Sequence, residues 1–127
     1  MKNGNSYIYK SSNAGLSLVY LLETEVQRIK KIKWSKRNGK DSKMALVFES
    51  IALTQGVKTD AARRYANCSN IPNMVDNINK KIMSLGLMIV RVDPWGVPPN
   101  ADFHHWYLVE APIMNVPVQM AVNDPIM

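Results

Sequence analysis

The stretch DAARRYANCSNIPNMVDNI, Asp60 to Ile78, constrains the fold more than any other part of the chain. Two runs with helical spacing are separated by Asn67-Cys68-Ser69-Asn70, which is too short and too polar to be a strand. A chain that stops one helix and begins another within four residues sets the two at a steep angle. Ala62, Tyr65, Ile71 and Val75 are placed to brace the pair, and the small side chains of Ala61, Ala62 and Ala66 permit close approach. The second helix then projects with one face free.

The flanking sequence extends this pattern. Ala14 to about Lys33 carries Leu18, Leu22, Val26, Ile29 and Ile32 at intervals of three and four, one face of an amphipathic helix with Asn13 as its N-cap. Trp34 to Asp41 reads as a linker broken by Asn38-Gly39. Met44, Val47, Phe48, Ile51 and Leu53 predict a helix capped by Asp41 or Ser42 and stopped by Gly56. Thr59 is placed to cap the next helix. After Asn70, the positions Ile71, Val75, Ile78, Ile82 and Leu85 predict a third, with Pro72 in its first turn and Gly86 at its end. Leu87–Val92 and Phe103–Val109 are rich in β-branched and aromatic residues and flank a Pro- and Gly-dense stretch, so they read as a hairpin with a long tip. The chain therefore divides into an arm, amphipathic helix and basic linker over 1–41, a helix-helix-helix-hairpin unit over 42–111, and an extended C-terminal arm over 112–127. The fold class is α+β, mostly helical.

Charge is concentrated rather than spread. Arg28, Lys30, Lys31, Lys33, Lys36, Arg37, Lys40 and Lys43 face a single acid, Asp41, so this window holds more positive charge than the chain's net +6. A focused basic segment attracts a polyanion, or is simply solvated. No stretch reaches the ~18 uninterrupted apolar residues of a membrane helix. The N-terminus lacks the apolar core of a signal peptide, and one cysteine, Cys68, fits a reducing cytosol. The expected location is cytoplasmic.

Residues 42–110 resemble the winged helix-turn-helix DNA-binding domain, in the small form common in phage, prophage and plasmid proteins. Thr59, Ala62, Tyr65-Ala66, Cys68 and the apolar series from Ile71 to Leu85 carry the resemblance, with the two β-prone runs in the place of the wing. It implies double-stranded DNA as partner, the helix at 71–85 as recognition helix, and a transcriptional regulator or replication accessory factor, in a bacterial cytoplasm if the chain is phage- or plasmid-derived. With Val75, Ile78 and Ile82 inward, Asn70, Asn73, Asn77, Lys80 and Lys81 point largely outward. Asparagine can bond bidentately to an adenine edge and lysine neutralises phosphate. Asp76 is discordant unless it accepts from cytosine or pairs with a lysine. Arg63, Arg64, Lys36, Arg37 and Lys40 are candidates for phosphate contact. Arg91 sits at the duplex edge or faces solvent, and Trp95 at the hairpin tip wedges into a groove, docks a partner or folds back.

Other residues that look chemical have plainer readings. His104 and His105, adjacent on a strand, point to opposite faces and cannot readily share a metal. Cys68 has no evident base partner, and Glu23 and Glu25 lie on different faces. The expectation is no enzyme, no metal and no cofactor. The amphipathic N-terminal helix either packs back on the domain or pairs with its twin in a homodimer. The competing function is a protein-interaction module on the same scaffold, favoured by near-neutral charge after residue 43 and by Trp95.

Overall fold

The computed structural model describes residues 9–10, 15–93 and 104–111. Among these the chain is α+β, with four helices, α1 (Glu23–Lys33), α2 (Lys43–Leu53), α3 (Thr59–Ala66) and α4 (Ile71–Ile82). The strands are β1 (Tyr9–Lys10), β2 (Val57–Lys58), β3 (Leu87–Val92) and β4 (His105–Glu110). They form one sheet in the order β1-β3-β4-β2. β3 and β4 are antiparallel, from Leu87 opposite Glu110 to Val92 opposite His105. β2 adds antiparallel to β4, and β1 adds parallel to β3 at Arg91 and Val92.

The break between α3 and α4 follows from its asparagines. Asn67 adopts the left-handed conformation at φ +52°, which asparagine tolerates better than other side chains except glycine. Its turn lets the Cys68 amide donate back to the Arg63 carbonyl at 3.1 Å, closing α3. Asn70 then opens α4, its Oδ1 accepting from the Asn73 amide at 3.1 Å, with Pro72 in the first turn where no donor is missed. Ile71, Val75, Ile78 and Ile82 are fully buried, packed with Ala62 and Ala66 of α3 and with Val47, Phe48 and Ile51 of α2. Tyr65, expected in this contact, is half exposed instead.

Four expectations are corrected. The first helix begins at Glu23, not Ala14, and the residues before it run beside β4. β2 covers β4 only at Trp106 and His105, so the next backbone groups of β4 need partners. The Val19 amide donates to the Leu108 carbonyl at 2.9 Å, and the Glu110 amide donates to the Ser17 carbonyl at 3.0 Å. That nonlocal demand overrides the helical spacing of Leu18 and Leu22. Second, Ile32 is 64% exposed and lies off the buried face of α1 formed by Val26 and Ile29. Third, Thr59 does not cap α3; Lys58 holds that place, and the Thr59 hydroxyl accepts from the Trp106 indole N–H at 2.8 Å. Fourth, the buried face of the helix expected over 71–85 stops at Ile82, where α4 ends, and Leu85 is 42% exposed. In the linker 34–41, Trp34 is buried with its ring centroid 5.4 Å from that of Phe48, and Arg37 and Lys40 pair backbone to backbone. Of the N-terminal arm only Tyr9–Lys10 is described, as strand; the C-terminal arm, Phe103 and the hairpin tip with Trp95 lie outside the described residues.

Gly56 ends the turn after α2 at φ +82°, where an added Cβ would sit 2.9 Å from the Tyr107 hydroxyl. Gly56→Ala is expected to cost about 1–2 kcal/mol, from left-handed strain plus displacement of Tyr107. A lowered urea midpoint at unchanged m-value is the result that checks it.

Candidate functional site

α4 presents two different faces. Toward the core stand Val75, Ile78 and Ile82, none with any exposed surface. On the opposite side Asn73, Lys80 and Lys81 are exposed, while Asn77 is half-buried. Asn70 lies at the exposed start of the helix, but its side-chain oxygen is engaged as the cap. Asp76 is paired: Lys80 Nζ lies 3.8 Å from its Oδ2, on a side chain 16% exposed. In α3, Arg64 is ion-paired to Asp60 at 3.2 Å and exposed, and Arg63 is half-buried.

Asn79, one position inside this face, was not singled out from sequence. It is fully buried; its amide donates to the Ile89 carbonyl at 3.1 Å and its Oδ1 accepts from the Ile89 N–H at 2.8 Å. The signal was available: Asn79 lies four residues after Val75 and three before Ile82, which is an inward position on a helix. This side chain fixes α4 against β3, and so fixes the direction in which Asn73 and Lys80 point.

Lys33 of the basic segment reaches past the C-terminal end of α4. Lys33 Nζ donates to Ser84 Oγ at 3.2 Å, just beyond the helix. At the other end the charges of Lys43 and Arg63 act on the Cys68 thiol. Burial nevertheless dominates there and raises its pKa above the ordinary value, so the thiol is protonated and unreactive at neutral pH. Lys36, Arg37 and Lys40 are exposed on the turn around Asn38 and Gly39, both at positive φ, as in a two-residue hairpin. Lys30 departs from the pattern. It is 4% exposed, with Nζ 2.7 Å from Asp41 Oδ2 and 3.0 Å from Glu49 Oε1. Burial opposes its charge, but hydrogen bonds and attraction from Asp41 and Glu49 outweigh that and hold its pKa above the usual lysine value. No sequence spacing marks the pairing of Lys30 with Glu49, which is formed by tertiary packing.

At the neck of the hairpin Arg91 is 8% exposed and forks onto Asp93 through Nε at 2.7 Å and Nη2 at 2.8 Å. It neither faces solvent nor stands as an open cation at an edge, because its guanidinium is buried on the Asp93 carboxylate. His104 Nδ1 lies 2.8 Å from the same carboxylate. His105 Nδ1 meets the Gly56 carbonyl at 2.9 Å, a bond in which only the imidazole can donate. The two histidines thus serve separate structural contacts, and the described residues hold no group of three side chains suited to a metal ion. Among the described residues no helix is long and apolar enough to cross a membrane.

No protein-family model matches the chain, and neither a curated protein nor a solved structure does.

Proposed function

We propose that this chain is a small winged helix-turn-helix protein that binds double-stranded DNA with sequence preference. In this reading α4 is the recognition helix, the β3–β4 hairpin is the wing, and the biological role is that of a phage- or plasmid-type regulator or replication accessory factor. The order α2, β2, α3, α4, β3, β4 supports the architecture. The observation that carries the binding role is the division of α4: its apolar side is consumed by the core while Asn73, Lys80 and Lys81 stand exposed, with Lys33 of the basic segment reaching Ser84 just past the end of the helix. Base edges need bidentate amides and phosphates need cations, and this surface offers both.

Selection of bound sequences from a random duplex library tests the reading. The wild-type chain is expected to enrich a motif, and Asn73→Ala with Asn77→Ala to flatten that preference by about tenfold per lost contact. Lys80→Ala should weaken all sequences alike. Absence of binding to random or selected duplex at low salt overturns the proposal.

A second reading, a protein-interaction module on the same scaffold, is favoured by charges already spoken for. Lys80 has Asp76, Arg64 has Asp60 and Arg91 has Asp93. A complex with a protein partner that survives nuclease treatment distinguishes it from the first.

A further inference from the structure

We infer that the buried Lys30–Asp41–Glu49 ion cluster is a positioning device that holds the basic turn 36–40 rigid, so that Arg37 and Lys40 grip duplex phosphate. The inference rests on the DNA-binding reading and assigns new roles to Lys30 and Asp41 within it. Of the eight cations between Arg28 and Lys43, Lys30 is unable to meet a polyanion, since both of its carboxylate partners are in contact and the residue is 4% exposed. Its geometry has another consequence. Lys30 belongs to α1, Asp41 to the end of the turn and Glu49 to α2, and Gln27 Nε2 adds a bond to Glu49 Oε2 at 2.8 Å. One ammonium group therefore ties the turn to two helices.

The other end of the turn is fixed by Trp34, buried against Phe48. Between these anchors the Arg37 amide donates to the Lys40 carbonyl at 2.9 Å and the Lys40 amide donates back at 3.0 Å. The result is a short braced hairpin bordered by open clefts of about 530 and 630 Å³, the second lined by Arg37, Lys40 and Lys43. A phosphodiester presents two oxygens sharing one negative charge, which suits a guanidinium fork set beside a lysine point charge. Holding such cations still before the encounter lowers the ordering cost of contact.

Asp41→Asn distinguishes a positioning role from simple charge. If Asp41 were only the one acid in a basic run, removing its charge would strengthen attraction to DNA. If it holds the turn, the same change loosens Arg37 and Lys40 and weakens binding. With the full chain and a random-sequence duplex, fluorescence anisotropy across a salt series is expected to show Asp41→Asn binding roughly three- to tenfold more weakly, with a log–log salt slope shallower by about one. Asp41→Glu, which restores the charge, should recover part of the loss. Amide exchange at Arg37 and Lys40 should accelerate in Asp41→Asn while α4 stays protected, a local readout that also holds for Lys30→Met. Unchanged or tighter binding by Asp41→Asn, with wild type binding normally, overturns the inference and leaves the DNA reading standing. So does a wild-type affinity indifferent to Arg37→Ala. Wild type that binds no duplex at all removes both.

Discussion

Asn79→Leu is expected to destabilise the chain by about 3 kcal/mol, although the replacement is apolar and enters a fully apolar neighbourhood. The reason lies in β3. Ile89 stands opposite Leu108, yet its own N–H and C=O both bond the Asn79 amide, at 2.8 and 3.1 Å. They point away from β4, toward the side where β1 reaches only Arg91 and Val92. A primary amide carries a donor and an acceptor in the arrangement of a peptide group, so Asn79 supplies what a longer edge strand would supply. Leucine cannot, and it leaves two buried backbone groups unpaired at about 1–3 kcal/mol each, partly offset by its apolar burial. Urea unfolding of the variant beside Asn73→Leu, an exposed control expected to move stability by no more than about 0.5 kcal/mol, makes the comparison. Equal midpoints for the two would mean that the Ile89 groups find other partners. Since the same amide sets how α4 lies on the sheet, a stability loss here also identifies what orients the outward face of the helix.

Asn79 shows where sequence reading reaches and where it stops. Spacing located α4 and its inward residues because one buried face leaves a period of three and four, and that relation is local. The same rule misread residues 14–22 as helix: Leu18 and Leu22 have the right spacing, but Val19 and Ser17 bond the backbone of β4 at Leu108 and Glu110, where the Gln55 side chain also pairs with both backbone groups of Leu108. A two-residue strand such as β2 leaves no period to detect. Thr59 carries the chemistry of a cap and is used as an acceptor for Trp106, forty-seven positions away. In the candidate site, exposure of Asn73, Lys80 and Lys81 was readable from the helix period, whereas the pairing of Lys30 with Glu49, nineteen positions apart, depended on packing. Charge counting in sequence treats every cation in a run as available. Burial decides which ones are, and Lys30 is removed from the total by two carboxylates.

That distinction sets the size of the salt effect. Raising monovalent salt from 50 to 200 mM is expected to weaken duplex binding by roughly 10³, given about six neutralised phosphates and a slope near −0.9 for each. Six is the number of exposed cations on the segment from Trp34 to Lys43 and on α4: Lys36, Arg37, Lys40 and Lys43 on the former, with Lys80 and Lys81 on the helix. Lys30 and Arg91 are left out because each is buried on a carboxylate. Lys80 contributes only after giving up a 3.8 Å pairing with Asp76, which is weak on a side chain 66% exposed. Replacing Lys36, Arg37 and Lys40 together by alanine should flatten the slope by about three, whereas Asn73→Ala with Asn77→Ala should leave it intact while erasing sequence preference. The two sets of variants thus separate attraction from reading, which a single affinity cannot do. A slope near one or two would mean that the basic segment stays in solvent while α4 binds, and the surface used would then be the helix alone. A steep slope that survives the triple replacement would place the phosphate contacts elsewhere on the chain, with Arg28 and Lys31 of α1 as the remaining exposed cations of the segment.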